Sequence, residues 1–99
     1  MTLFVLEWRF GSDREARLAV RPQHREYLEE LRDAGHVVAA GPWADDSGAL
    51  IVYSAGDAAA VENMLENDPY VSNGVGGERT LREWSPIIAG AIRNEHDAE

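Results

Sequence analysis

A histidine on the apolar stripe of a helix can move protons near neutral pH, and His24 holds such a position. The same position equally suits a core histidine bonded to a backbone carbonyl. Asp68 precedes Pro69 at a helix end. It can simply form the turn. Beside an imidazole it would instead fix the ring's tautomer and favour its protonated form. Nothing in the spacing of these two residues brings them together. Arg17 and Arg21 lie one helical turn apart just before His24, as solvated charges or as a grip for an anionic group. Trp8 and Tyr53 are the aromatic side chains placed to shelter a substrate.

Other chemistries find less support. The chain has no cysteine, and no histidine pair has metal-ligand spacing, so neither thiolate chemistry nor a dedicated zinc site is expected. His36 opens a strand and His96 lies in the polar tail. Asp45 and Asp46 could meet a hard cation, but two acids in an exposed turn are ordinarily solvated. Gly74, Gly76 and Gly77 follow no strand and open no helix, so they are no dinucleotide fingerprint. No serine stands in a nucleophile elbow. No cofactor is expected.

The elements that must position these residues follow from periodicity. Residues 3–10 read as a strand with Phe4, Leu6, Trp8 and Phe10 on one face and Leu3 and Val5 on the other. Residues 14–34 are helical in composition, read as a short first helix, a break or kink near Arg21, and a main helix from Pro22. His24, Leu28, Leu31 and Ala34 or Gly35 form the apolar stripe, Tyr27 borders it, and Gly35 is the natural C-cap. Residues 36–43 and 49–55 form a hairpin through Asp45-Asp46-Ser47-Gly48, with Gly48 free to take positive φ. Asp57 caps a second helix whose inner face is Ala58, Val61, Met64 and Leu65. A last strand spans roughly 78–88, with Pro86 marking its departure from the ladder.

The order is βαββαβ, an α+β ferredoxin-like pattern with a four-stranded antiparallel sheet and two helices on one face. The first and third strands are apolar on both faces, yet the helices cover only one. The second face therefore calls for a partner protomer or a ligand. A homodimer packed through the sheets is expected.

The chain of 99 residues fits one domain, read as residues 1–90 with a polar, acidic tail at 91–99. Acidic residues outnumber basic ones 18 to 9, for a net charge of −9, which repels phosphate backbones and argues against nucleic-acid binding. No stretch is apolar enough to span a membrane. The N-terminal apolar run is short and lacks a preceding basic region, which argues against a signal peptide. The absence of cysteine suits a reducing, cytoplasmic setting.

The run Arg17-Leu18-Ala19-Val20-Arg21-Pro22-Gln23-His24, the pair Gly41-Pro42, and Asp68-Pro69-Tyr70-Val71 followed by Gly74 resemble the YciI-like, or YCII-related, family. Trp84 in the final strand also fits, and the resemblance spans residues 2–88. It implies a dimeric, ferredoxin-like α+β barrel. It also implies that His24 and Asp68 face each other in a cleft as a pair for acid–base work. Some relatives carry a serine after the glycine that opens the third strand, where this chain has Ala49 after Gly48. A hydroxyl that could orient a substrate is thus missing.

Three functional readings follow. The chain is a small-molecule enzyme of lyase, isomerase or dehydrohalogenase type, with a His–Asp dyad and an anionic or aromatic substrate. Or it is a metabolite-binding or accessory dimeric module without turnover. Or the pair only ties two helices together.

Overall fold

A computed structural model describes residues 1–92. The expected acidic tail, with His96, falls largely outside the described residues. The elements are β1 (Thr2–Arg9), α1 (Arg14–Asp33), β2 (Val37–Pro42), β3 (Gly48–Ala55), α2 (Ala58–Glu66), α3 (Pro69–Ser72) and β4 (Glu78–Trp84). The strands form one antiparallel sheet in the order β2-β3-β1-β4. This is the ferredoxin-like α+β arrangement expected from the element order, with a single-turn helix, α3, added after α2.

Register explains the core. Phe4 faces Tyr53, Leu6 faces Ile51 and Trp8 faces Ala49, so these six residues share one face of the sheet. All six are buried in one cluster with Leu28 of α1 and Val61 and Leu65 of α2. The opposite face carries Leu3, Val5, Leu50, Val52 and Trp84. Among the described residues no helix covers it, and Trp84 remains 47% exposed.

α1 corrects one expectation. It runs unbroken from Arg14 to Asp33 with Pro22 inside it. Pro22 is on the solvent-exposed side of the helix, where water can meet the carbonyl that loses its amide partner. Meanwhile Arg17, His24 and Leu28 bury the other side. Packing of that face outweighs the local preference for a break. The helix ends as expected: Gly35 takes φ 87°, and the amides of Gly35 and His36 close back on Arg32 and Leu31.

Two smaller corrections concern turns and ends. β4 stops at Trp84 rather than near residue 88, before Pro86 can interrupt the ladder. In the β2–β3 hairpin the positive φ falls on Asp46 (60°) and not on Gly48. Gly48 is required for space. A Cβ there would lie 2.1 Å from the Trp8 carbonyl oxygen and 3.0 Å from the Trp43 ring. Because the first obstacle is backbone, relief needs a shift of β1 against β3. Gly48→Ala is expected to cost about 1–3 kcal/mol or more in denaturant unfolding. An unchanged midpoint would show that the strands separate freely there.

Candidate active site at the middle of α1

The site is built where α1 passes over the α2–α3 junction. Asp57 caps α2 through the Ala60 amide, and the helix runs out at Asn67. Pro69 then keeps Asp68 extended (φ −72°, ψ 127°), so Asp68 becomes the N-cap of α3. Its Oδ1 accepts the Tyr70 amide at 2.9 Å. The same oxygen lies 2.7 Å from His24 Nδ1. Asp68 is fully buried and His24 is 6% exposed. The pair that spacing alone left apart therefore meets in the interior.

The geometry fixes how the imidazole can act. With Nδ1–H donated to the carboxylate, Nε2 is the nitrogen left to exchange a proton. Among the described residues Nε2 has no protein partner, and it is not one of the sealed, unpartnered polar atoms. It thus keeps a path to solvent. The ring is held from one side by Tyr70, stacked at 3.7 Å between centroids and 3° between planes. Tyr70 is in turn met edge-on by Trp8 and Phe10, each at 6.2 Å.

Asp68 Oδ2 is buried with no hydrogen-bond partner, and so is the Tyr53 hydroxyl. Burial, aided by the charge of Asp68, pushes the Tyr53 phenol far above its ordinary range. Tyr53 is therefore a neutral hydroxyl and not a phenolate base. Tyr27, the residue bordering the stripe, donates its hydroxyl to the Met64 carbonyl at 2.7 Å and ties α1 to α2.

Arg17 is 2% exposed. Its guanidinium lies over the Phe10 ring at 3.8 Å and meets Asp46 Oδ2 at 3.1 Å, while its Nε has no partner. Arg21 is partly exposed and forms no ion pair among the described residues, although its charge reaches both Asp46 and Tyr70. Trp8 meets Tyr70 edge-on, and Tyr70 stacks on His24. The expected residues therefore form one neighbourhood with different distances to the chemistry. His24 and Asp68 are in contact, Arg17 lies over the Phe10 ring that meets Tyr70 edge-on, and Trp8 and Tyr53 are buried in the core on the sheet.

Sequence reasoning did not single out Tyr70 as a site residue. The signal was present: it sits two residues past a capping Asp, so one turn carries both groups. Asp45 and Asp46 both have partners within the chain. Asp45 accepts the Ser47 amide, and Asp46 is paired with Arg17 and, at 3.6 Å, with Arg14. Among the described residues no three His, Asp or Glu side chains cluster to hold a metal ion.

The bond to Arg17 holds the Asp46 carboxyl below its usual range. A carboxyl whose folded pKa is lowered stabilises the fold above its unfolded pKa, and that contribution is lost as pH falls through the folded value. Asp46→Asn keeps an acceptor and tolerates the left-handed backbone. The variant is expected to be less stable than the parent at neutral pH, with the gap closing below the ordinary carboxylate range. Thermal melts at several pH values check this; a pH-independent gap would exclude the charge as the cause.

Similarity to known proteins agrees with the fold. The structure is similar to 5-chloro-2-hydroxyhydroquinone dehydrochlorinase (TftG) from Burkholderia phenoliruptrix AC1100, in complex with 2,5-dihydroxybenzoquinone. The TM-score is 0.73 at 22% identity, over 84% of this chain and 93% of that one. It is also similar to an antibiotic biosynthesis monooxygenase, with a TM-score of 0.59 at 15% identity, over 89% of this chain and 100% of that one. At these identities the likeness is one of fold. Comparison with curated protein sequences gives no match. The YCII-related domain profile matches residues 2–85, so the chain belongs to the YCII-related family.

Proposed function

We propose that this chain is a small-molecule enzyme in which His24 exchanges a proton through Nε2 and Asp68 orients the ring and balances the imidazolium that forms. The observation that carries this reading is the buried His24–Asp68 contact of 2.7 Å, with Nε2 left unpartnered. The supported reactions are those that proton transfer alone can drive: a lyase, isomerase or dehydrohalogenase step. In the last case Nε2 takes a proton from the substrate, and the freed electron pair forms a new π bond. The leaving group departs as halide with the electrons of its bond to carbon. The imidazolium then returns its proton to solvent. No oxidant or reductant is consumed.

The dehydrochlorinase activity of TftG makes chlorinated hydroxyhydroquinones the first compounds to test. Wild-type protein is incubated with a panel of them, and chloride release is followed alongside substrate loss. Turnover supports the enzyme reading. Binding of panel members with no product from any would favour a binding or accessory module instead.

The proposal includes a homodimer packed through the uncovered sheet face. Val5, Leu50, Val52 and Trp84 line a groove there, rimmed by Arg82 and Glu83. An apolar sheet face of this kind calls for cover. Sedimentation is expected to give a dimer, and Leu50→Glu, which puts a charge at its centre, a monomer. A wild-type monomer at micromolar concentration would remove this part of the proposal. The lack of cysteine suits the cytoplasm as the place of action.

A further inference from the structure

β4 ends at Trp84, and residues 85–92 then leave the sheet in neither helix nor strand. Within this arm the run Pro86-Ile87-Ile88-Ala89-Gly90-Ala91-Ile92 carries no polar side chain. Ile87 is 93% exposed, Ile88 90% and Ile92 77%. Single exposed aliphatics are ordinary, but a continuous apolar run marks a surface that another surface covers. Pro86 sets the arm's departure. It restricts Ser85 to extended backbone and has no N–H to donate to a ladder, so β4 is not continued.

The surface that needs cover stands at the root of the arm. Trp84 closes β4 and, with Val5, Leu50 and Val52, lines the groove on the uncovered sheet face. In a two-fold dimer the same patch meets itself. An arm that leaves from the edge of this patch therefore leaves beside the partner's copy of it. Reach is not limiting. Residues 85–92 span up to about 26–29 Å when extended, and a four-stranded sheet is about 14 Å across. Charge agrees with a second copy as the occupant. Arg82 stands at the rim of the groove without an ion pair among the described residues. Past Ile92 the sequence carries Glu95, Asp97 and Glu99, opposite in sign to Arg82. The same acids, in a chain of net charge −9, oppose an anionic membrane as the covering surface.

We propose that residues 85–92 form an exchanged arm: in the homodimer each copy lays Ile87 and Ile88 into the groove of Val5, Leu50, Val52 and Trp84 on the other. This rests on the sheet-face dimer and adds the segment that seals it. Each groove is completed only by the partner, and the two arms are related by the two-fold axis.

The chain has no cysteine, so disulfide trapping starts from a silent background. Ile88→Cys protein is mixed with Leu50→Cys protein under mild oxidation. A covalent heterodimer is expected, in clear excess over that from Ile88→Cys with Glu29→Cys, whose cysteine sits on the exposed surface of α1. The doubly substituted chain, Leu50→Cys with Ile88→Cys, is expected to link between chains and not within one. Sedimentation supplies an independent measure. Replacing Ile87 and Ile88 by serine alters only exposed side chains of the single chain, so its fold is kept. The dimer's dissociation constant is expected to rise by about a hundredfold or more, from the apolar area that no longer enters the interface.

An unchanged dissociation constant in the serine variant would overturn the arm and leave the sheet-face dimer standing. So would a heterodimer yield no greater than the Glu29→Cys control. A disulfide that closes within one chain would show the arm folded on its own sheet, which also overturns the exchange. A wild-type monomer is a different failure: it removes the dimer itself, and the arm with it.

Discussion

Asp68→Ala is expected to lower the unfolding free energy by about 2–6 kcal/mol, the cost of leaving two buried donors without their acceptor at about 1–3 kcal/mol each. The residue is fully buried, and its Oδ1 serves both His24 Nδ1 and the Tyr70 amide. Truncation leaves the imidazole N–H without its acceptor and strips α3 of its cap, so two interior donors lose their partner together. A domain of this size is typically stable by about 5–15 kcal/mol, so the loss is a large share of the whole. Asp68→Asn retains an acceptor oxygen and nearly the same volume, and is expected to lose clearly less. Denaturant unfolding of both variants checks the order. An alanine variant as stable as the asparagine one would mean that the pair is not held in the interior as described.

The second large effect is on rate. His24→Gln keeps a polar group of similar reach facing Asp68, but it cannot exchange a proton at Nε2. On the substrate identified by the panel, turnover is expected to fall by about 10²–10⁴-fold, the range for removal of a general acid–base group. The substrate's affinity should change much less, because the substitution removes only the proton-exchanging nitrogen. This split between rate and binding separates proton transfer from a structural role. A purely structural histidine would cost stability and leave the rate of the folded fraction alone. Unchanged turnover in a folded His24→Gln variant would end the acid–base reading.

The two variants also bear on each other. Asp68 is both an anchor of the fold and the partner of the reacting ring, so its removal mixes two losses. His24 is easier to replace cleanly, since a glutamine can keep the contact with Asp68. Activity measurements are therefore best read from His24, and stability measurements from Asp68.

Much of the architecture was legible from local pattern. Period two marked the faces of β1, and period 3.6 marked the buried stripe of α1. Both are local because a side chain's direction depends on the few residues around it. Gly35 and Asp57 announced helix ends for the same reason, each satisfying backbone groups a few residues away. Element order then led to the sheet topology, because antiparallel hairpins and right-handed crossovers leave few alternatives. The family resemblance supplied what spacing did not: the expectation that His24 and Asp68 belong together.

What local pattern could not decide were quantities set by neighbours distant in sequence. Pro22 looked like a break, yet α1 continues because burial of Arg17, His24 and Leu28 on one face outweighs one missing hydrogen bond on the other. Gly48 looked like a turn glycine, but its need is for room against the Trp8 carbonyl on a strand forty residues earlier. Asp46 looked solvated until the fold brought Arg17 to it.

The sequence by itself determined the four strands and two main helices, their order, the absence of thiol chemistry and the two-faced apolar sheet. Only the tertiary structure decided that His24 meets Asp68 at 2.7 Å, that Tyr70 braces the imidazole, and that Arg17 is buried with a donor to spare. The physical reason is that periodicity records which way a side chain points along its own element. Contact between elements depends instead on how the sheet register and helix packing place them, which no local window contains.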